Sequence, residues 1–162
     1  MNHASAPRTD SGAHEEPVYR ADFAMGEHSA LHLRRILRLY LAWWGMADLA
    51  DAAELVLTEL IANVVQHVPG RRCQTFVFRL PGGEGVRVEV ADDCPQLPRI
   101  AESATLDERG RGLLLVDALA DKWGVEARRD GGGKAVWFEC LTAAGPVAAE
   151  PVTPTAPPVP RP

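Results

Sequence analysis

The sequence predicts an α/β (α+β) two-layer sandwich, with a mixed, mostly antiparallel sheet and its helices on one face. Three observations lead there. Stretches rich in β-formers come in two pairs, 73–80 with 86–91 and 123–128 with 134–141, each joined by a glycine-rich turn. Two segments ahead of them, and a third between the pairs, carry apolar residues at helical spacing. The order β-α-α-β-β-loop-α-β-β joins most strands by hairpins, which favours antiparallel pairing with the helices gathered on one side.

Each element has a local reason. Residues 1–16 are polar and are expected to be disordered, and 18–23 form the first strand. Ser29 is a plausible N-cap for a helix over 30–44, where Leu33, Ile36, Leu37, Tyr40, Leu41 and Trp44 recur at helical spacing and Gly45 stops the helix. Asp51 and Glu54 resemble a capping box at the start of a second helix, 52–68, which buries Leu57, Leu60, Ile61, Val64 and Val68 before Pro69-Gly70 ends it. The first hairpin turns at Pro81-Gly-Gly-Glu-Gly85. The polar stretch 92–109 is long for a connection, which marks it as functional. A third helix over 112–122 offers Leu113, Leu114, Val116 and Leu119 for burial, and the second hairpin turns at Asp130-Gly-Gly-Gly133. Seven of the 13 prolines lie from Pro146 onward. That segment has too few large apolar side chains to offset its ordering entropy. The expected organisation is therefore a disordered segment 1–16, one domain over 17–143 and a proline-rich tail 144–162.

Charge and cysteine usage exclude several classes. The chain has 17 Lys+Arg against 22 Asp+Glu, a net charge of -5, which argues against direct nucleic-acid binding. No apolar run approaches the roughly 20 residues that span a bilayer, and no secretory signal precedes the first strand. Cys73, Cys94 and Cys140 are odd in number and widely spaced, unlike a zinc site or a disulfide framework. A cytoplasmic protein with reduced thiols is expected.

Four constellations carry chemistry. Glu59, Asn63 and His67 stand four residues apart on the second helix, so they form one stripe with about 6 Å between successive positions. A carboxylate, an amide oxygen and an imidazole in that pattern suit a hard cation and an activated hydroxyl; polar residues facing solvent would give the same spacing. Glu108-Arg109-Gly110-Arg111-Gly112 runs into an apolar helix, which suits close approach of an anion to backbone N–H groups or a plain flexible loop. Asp92 and Asp93 follow an apolar strand, where a carboxylate accepts from a purine amine or merely terminates the strand. Gly131-Gly-Gly-Lys134 reads as a hairpin turn. None of these is a P-loop.

Their order resembles the GHKL nucleotide-binding fold of histidine-kinase catalytic domains, Hsp90 and gyrase B, the Bergerat-type ATP-binding fold. The similarity runs from about Phe23 to Leu141 and is nearest to the anti-sigma-factor-type serine/threonine protein kinases of bacteria. Glu-Leu-Ile-Ala-Asn-Val-Val-Gln-His, 59–67, is similar to the N-box, and Gly-Arg-Gly-Leu-Leu-Leu-Val, 110–116, to the glycine-rich box.

The resemblance implies roles. Asn63 would bind the Mg²⁺ that bridges the ATP phosphates, and Glu59 would act as general base toward an acceptor serine. Asp92 would read the adenine amino group. Arg109, Gly110, Arg111, Gly112 and Leu113 would belong to the phosphate lid, with His67 a lid or packing contact. The implied activity is transfer of the ATP γ-phosphate to a Ser/Thr of an antagonist protein, together with sequestration of a sigma factor, and a homodimer. The alternative is a catalytically inactive partner-binding module. Two departures motivate it: Asp92-Asp93-Cys94-Pro95-Gln96 lacks the glycines that often follow the adenine-reading Asp, and Gly133-Lys134-Ala135 lacks the hydroxyl of a Gly-x-Thr. A lost contact of that kind costs on the order of 1 kcal/mol of affinity.

Overall fold

The computed structural model of the chain describes residues 16–94, 108–128 and 132–143. The tail 144–162, all but the last residue of the expected disordered segment 1–16, residues 95–107 of the long polar stretch, and residues 129–131 of the second hairpin turn lie outside the described residues. The elements are β1 (Tyr19–Ala24), α1 (Glu27–Trp43), α2 (Ala50–His67), β2 (Arg72–Arg79), β3 (Gly85–Asp92), α3 (Glu108–Leu119), β4 (Lys122–Ala127) and β5 (Lys134–Leu141).

The strands form one sheet in the order β1-β2-β3-β5-β4. Every pairing among the described residues is antiparallel, so the expected mixed sheet is corrected to an antiparallel one. The reason is topological. The connection through α3 does join two parallel strands, β3 and β4, but β5 returns into the gap between them and separates them.

Alternation assigns the faces. Cys73, Thr75 and Val77 of β2, Val86, Val88, Val90 and Asp92 of β3, and Lys134, Val136, Phe138 and Cys140 of β5 are buried on one face of the sheet. The apolar ones pack in one cluster with Leu37 and Leu41 of α1 and with Val56, Leu57, Leu60, Ile61 and Val64 of α2. On the opposite face the Arg87 guanidinium lies 4.0 Å from the Trp137 ring centroid and bonds Glu89 at 2.8 Å and Glu139 at 3.2 Å. Gly124 leaves room for that ring, since a Cβ there would stand 2.9 Å from Trp137 Cζ2.

Three helix starts differ from expectation. Gly26, not Ser29, caps α1; the Ser29 hydroxyl reaches back, accepting the Gly26 N–H at 2.6 Å and donating to the Gly26 carbonyl at 2.9 Å. Asp51 and Glu54 lie within α2 and cap nothing. They hold Arg38 of α1 instead, with Nη2 2.9 Å from Asp51 Oδ1 and Nε 3.0 Å from Glu54 Oε2, which ties the two helices together. Residues 108–111 are already helical, so Gly110 and Gly112 lie inside α3. Glycine disfavours a helix by about 1 kcal/mol relative to alanine, which is why the local pattern reads as a loop. Burial of Leu113 and Val116, at 3% and 0% exposure, anchors α3 on the core, and Trp123 Nε1 donating to Asp117 Oδ1 at 3.0 Å closes it onto β4.

Cys73 and Cys140 face the core, and burial pushes both thiols up from 9.0 to about 12. They stay neutral in the folded chain while unfolded thiols ionise near 9.0, so their contribution to stability is complete below pH 9 and is lost as pH rises toward 12. The melting temperature should therefore fall between pH 9 and pH 11. The double variant Cys73→Ala/Cys140→Ala should fall less steeply over that interval; identical slopes would contradict the assignment.

Candidate functional site

The α2 stripe is set by the core beneath it. Leu60, Ile61 and Val64, each 2–3% exposed, fix the helix against the sheet. Glu59 and Asn63 are then left half-buried at the edge of the buried face, and His67, the last residue of α2, is exposed. None of the three side chains makes a hydrogen bond or ion pair with another described residue. Two oxygen-bearing side chains on adjacent turns, half out of water and without partners among the described residues, are available to a ligand.

Asp92 ends β3 on the helix-facing side of the sheet and is 3% exposed. Its Oδ1 accepts the Cys94 N–H at 2.8 Å, a short turn that fixes the carboxylate plane. The same Oδ1 accepts from Lys134 Nζ at 3.0 Å, and Nζ also donates to the Cys94 carbonyl at 3.1 Å. Asp92 and Lys134 stand opposite each other in the β3–β5 register, and Lys134 is 6% exposed. Oδ2 takes no hydrogen bond from any described residue. Gly133 makes this junction possible, because a Cβ there would stand 1.9 Å from the Asp92 carbonyl oxygen. Asp93 points away from the pair into an exposed bridge with Arg128 Nη1 at 2.7 Å.

Ala135, which stands where a Gly-x-Thr would place its hydroxyl, belongs to the opposite face of β5, and the side chain delivered to Asp92 is Lys134. The signal was present: Val136, Phe138 and Cys140 define the buried face, and Lys134 is in phase with them.

Arg109, Gly110, Arg111 and Gly112 lie in the described first part of α3. The Leu113 side chain is core, so it offers no side-chain contact to a ligand. No group of three or more His, Cys, Asp or Glu side chains is placed to hold a metal among the described residues. The donor set fits a hard cation that takes one protein oxygen and completes its shell elsewhere, as Mg²⁺ does on phosphates, with Asn63 as the protein oxygen.

Stripe, strand-end carboxylate and glycine-bearing helix thus occur on one two-layer fold. The family model for the histidine kinase-like ATPase domain matches residues 26–140. The chain belongs to this family. The match opens at the Gly26 cap of α1 and closes in β5, so the histidine kinase-like ATPase domain takes in α2, the Asp92–Lys134 junction and α3. The chain is 38% identical over 106 residues to the uncharacterized protein SCO4941 of Streptomyces coelicolor, a match covering 64% of this chain and 96% of that protein. A chain in the crystal structure of the SiaB-SiaC complex from Pseudomonas aeruginosa shares the fold, with a TM-score of 0.60 at 15% identity over 77% of this chain and 90% of that one. No helix among the described residues is long and apolar enough to cross a membrane.

Proposed function

We propose that this histidine kinase-like ATPase binds ATP with Mg²⁺ and transfers the γ-phosphoryl group to a serine or threonine of an antagonist protein, while also sequestering a sigma factor. The observation that carries the reading is the pair of unpartnered, half-buried side chains Glu59 and Asn63 on the core-anchored α2. Phosphoryl transfer needs held phosphates, a charge-neutralising metal and an oriented nucleophile more than covalent help from the protein. Asn63 offers its amide oxygen to Mg²⁺, which supplies charge neutralisation on the phosphates. Glu59, one turn earlier, accepts the proton of the attacking hydroxyl. Asp92 accepts from the adenine amine through Oδ2, since Oδ1 is already engaged. Arg109, Gly110, Arg111, Gly112 and Leu113, in the first turns of α3, are assigned to the phosphate side of the site, and His67 borders the α2 stripe. The working domain is 17–143, acting in the cytoplasm as a homodimer, and the SiaB-SiaC complex in which a chain of the same fold occurs is in keeping with a protein partner.

Calorimetry with ATP and Mg²⁺ tests this. Wild type should bind ATP in a Mg²⁺-dependent manner, and Asn63→Ala should weaken that binding at least tenfold while leaving the melting temperature nearly unchanged. Absence of Mg²⁺-dependent binding at millimolar ATP would sink the reading. One observation favours the second reading, a partner-binding module without catalysis: the carboxylate meant for adenine already holds a buried lysine. Failure to bind nucleotide, with the partner still captured, would establish that alternative.

A further inference from the structure

Lys134 is the one buried amine among the described residues, and the nucleotide chemistry proposed above gives it no role. Its position is over-determined. Its Cα is in register with Asp92, and Nζ bonds both Asp92 Oδ1 and the Cys94 carbonyl. An ammonium carries three N–H donors. Two are used, and the third has no partner among the described residues. Asp92 is used in the complementary way, with Oδ1 accepting twice and Oδ2 not at all. The junction therefore presents one spare acceptor and one spare charged donor, side by side, on side chains held at 3% and 8% exposure.

We propose that Lys134 is a base-reading residue: Asp92 Oδ2 accepts the exocyclic N6–H of adenine while Lys134 Nζ donates directly to the ring nitrogen N1. This rests on the reading of the site as an ATP site, and it extends that reading by assigning a second base contact, from a different strand. Acceptor and donor match adenine, whose edge offers a donor at N6 beside an acceptor at N1. Guanine presents the reverse order, an acceptor at O6 beside a donor at N1, and is mismatched in the same orientation. Both protein groups are pinned before the ligand arrives, Asp92 by the Cys94 N–H and Lys134 by the Cys94 carbonyl, so little reorganisation accompanies binding. The charge on Nζ makes the contact stronger than a hydroxyl would. The lysine thereby supplies a base contact in a chain that lacks the glycines after Asp92.

The test changes the ligand first. Calorimetric affinities of wild type for ATP and for 1-deaza-ATP, in which a C–H replaces N1, should differ by tenfold or more, and GTP should bind at least tenfold more weakly than ATP. Lys134→Met should weaken ATP binding and bind ATP and 1-deaza-ATP equally. Lys134→Arg, which retains a charged donor for Asp92, should keep the preference for ATP. Equal affinity of wild type for ATP and 1-deaza-ATP overturns the role of Lys134 and leaves the ATP site standing. Failure of wild type to bind any of the three overturns the ATP reading and this inference with it. The wild-type comparison needs no variant, so it stands even if Lys134→Met does not fold.

Discussion

Replacing Asp92 by alanine is expected to lower the melting temperature by about 10 °C and to abolish ATP binding. The carboxylate and the Lys134 ammonium are both buried and 3.0 Å apart. Removing one partner of such a pair strands the other in a poor solvent, which costs about 3 kcal/mol or more. In a domain of this size 1 kcal/mol moves the melting temperature by about 3–5 °C. The Cys94 N–H loses its acceptor in the same change. Asp92→Asn keeps an acceptor for that N–H and should lie between wild type and Asp92→Ala. The double change Asp92→Leu/Lys134→Met removes both charges together, and apolar replacement of a whole buried pair is often neutral or stabilising. It should recover most of the melting temperature and none of the nucleotide binding. Thermal melts of the three variants, each with and without ATP, check this; an Asp92→Ala protein that melts with wild type would show that the pair contributes nothing.

The second large effect is on chemistry. Glu59→Gln should reduce phosphoryl transfer to the antagonist protein by about 10²–10⁴-fold, the usual contribution of a positioned general base. ATP affinity should stay within a few-fold of wild type. Glutamine has the shape of glutamate and cannot take the hydroxyl proton. Glu59 makes no bond to another described residue, so the fold loses nothing with its charge. Radiolabelled phosphate transfer to the co-purified partner, beside calorimetric ATP binding by the same preparation, separates the two quantities. Transfer that survives the substitution would remove Glu59 from the reaction, and the absence of transfer by wild type would point to the module without catalysis.

Much of this architecture was legible in the sequence because its signals are local. The apolar spacing of Leu33, Ile36, Leu37 and Leu41 identifies α1, and that of Leu57, Leu60, Ile61 and Val64 identifies α2; all are buried as expected. The two hairpins followed from runs of β-formers around glycine turns, and Gly82 and Gly83 do take positive φ values of 68° and 70°. The structure departs from the local signals in two ways. Asp51 and Glu54 satisfy a capping motif but hold Arg38, which sits 13 and 16 residues from them, while Ser29 bonds back to Gly26, the residue that caps α1. α3 starts earlier than its local pattern indicates, because two glycines disfavour a helix locally and burial of Leu113 and Val116 outweighs them in the folded chain.

By itself the sequence determined the antiparallel-rich two-layer fold, from the order of its elements, and the Glu59–Asn63–His67 stripe, from spacing within one helix; the family resemblance rests on two motifs, 59–67 and 110–116, and their order along the chain. Only the tertiary structure decided that β5 inserts between β3 and β4, and so that Lys134 meets Asp92 across 42 residues of chain. Strand register is a property of two segments together, and a shift of one residue would have presented Ala135 to the carboxylate instead. The chemistry at the end of β3 depends on that register, and no local signal carries it.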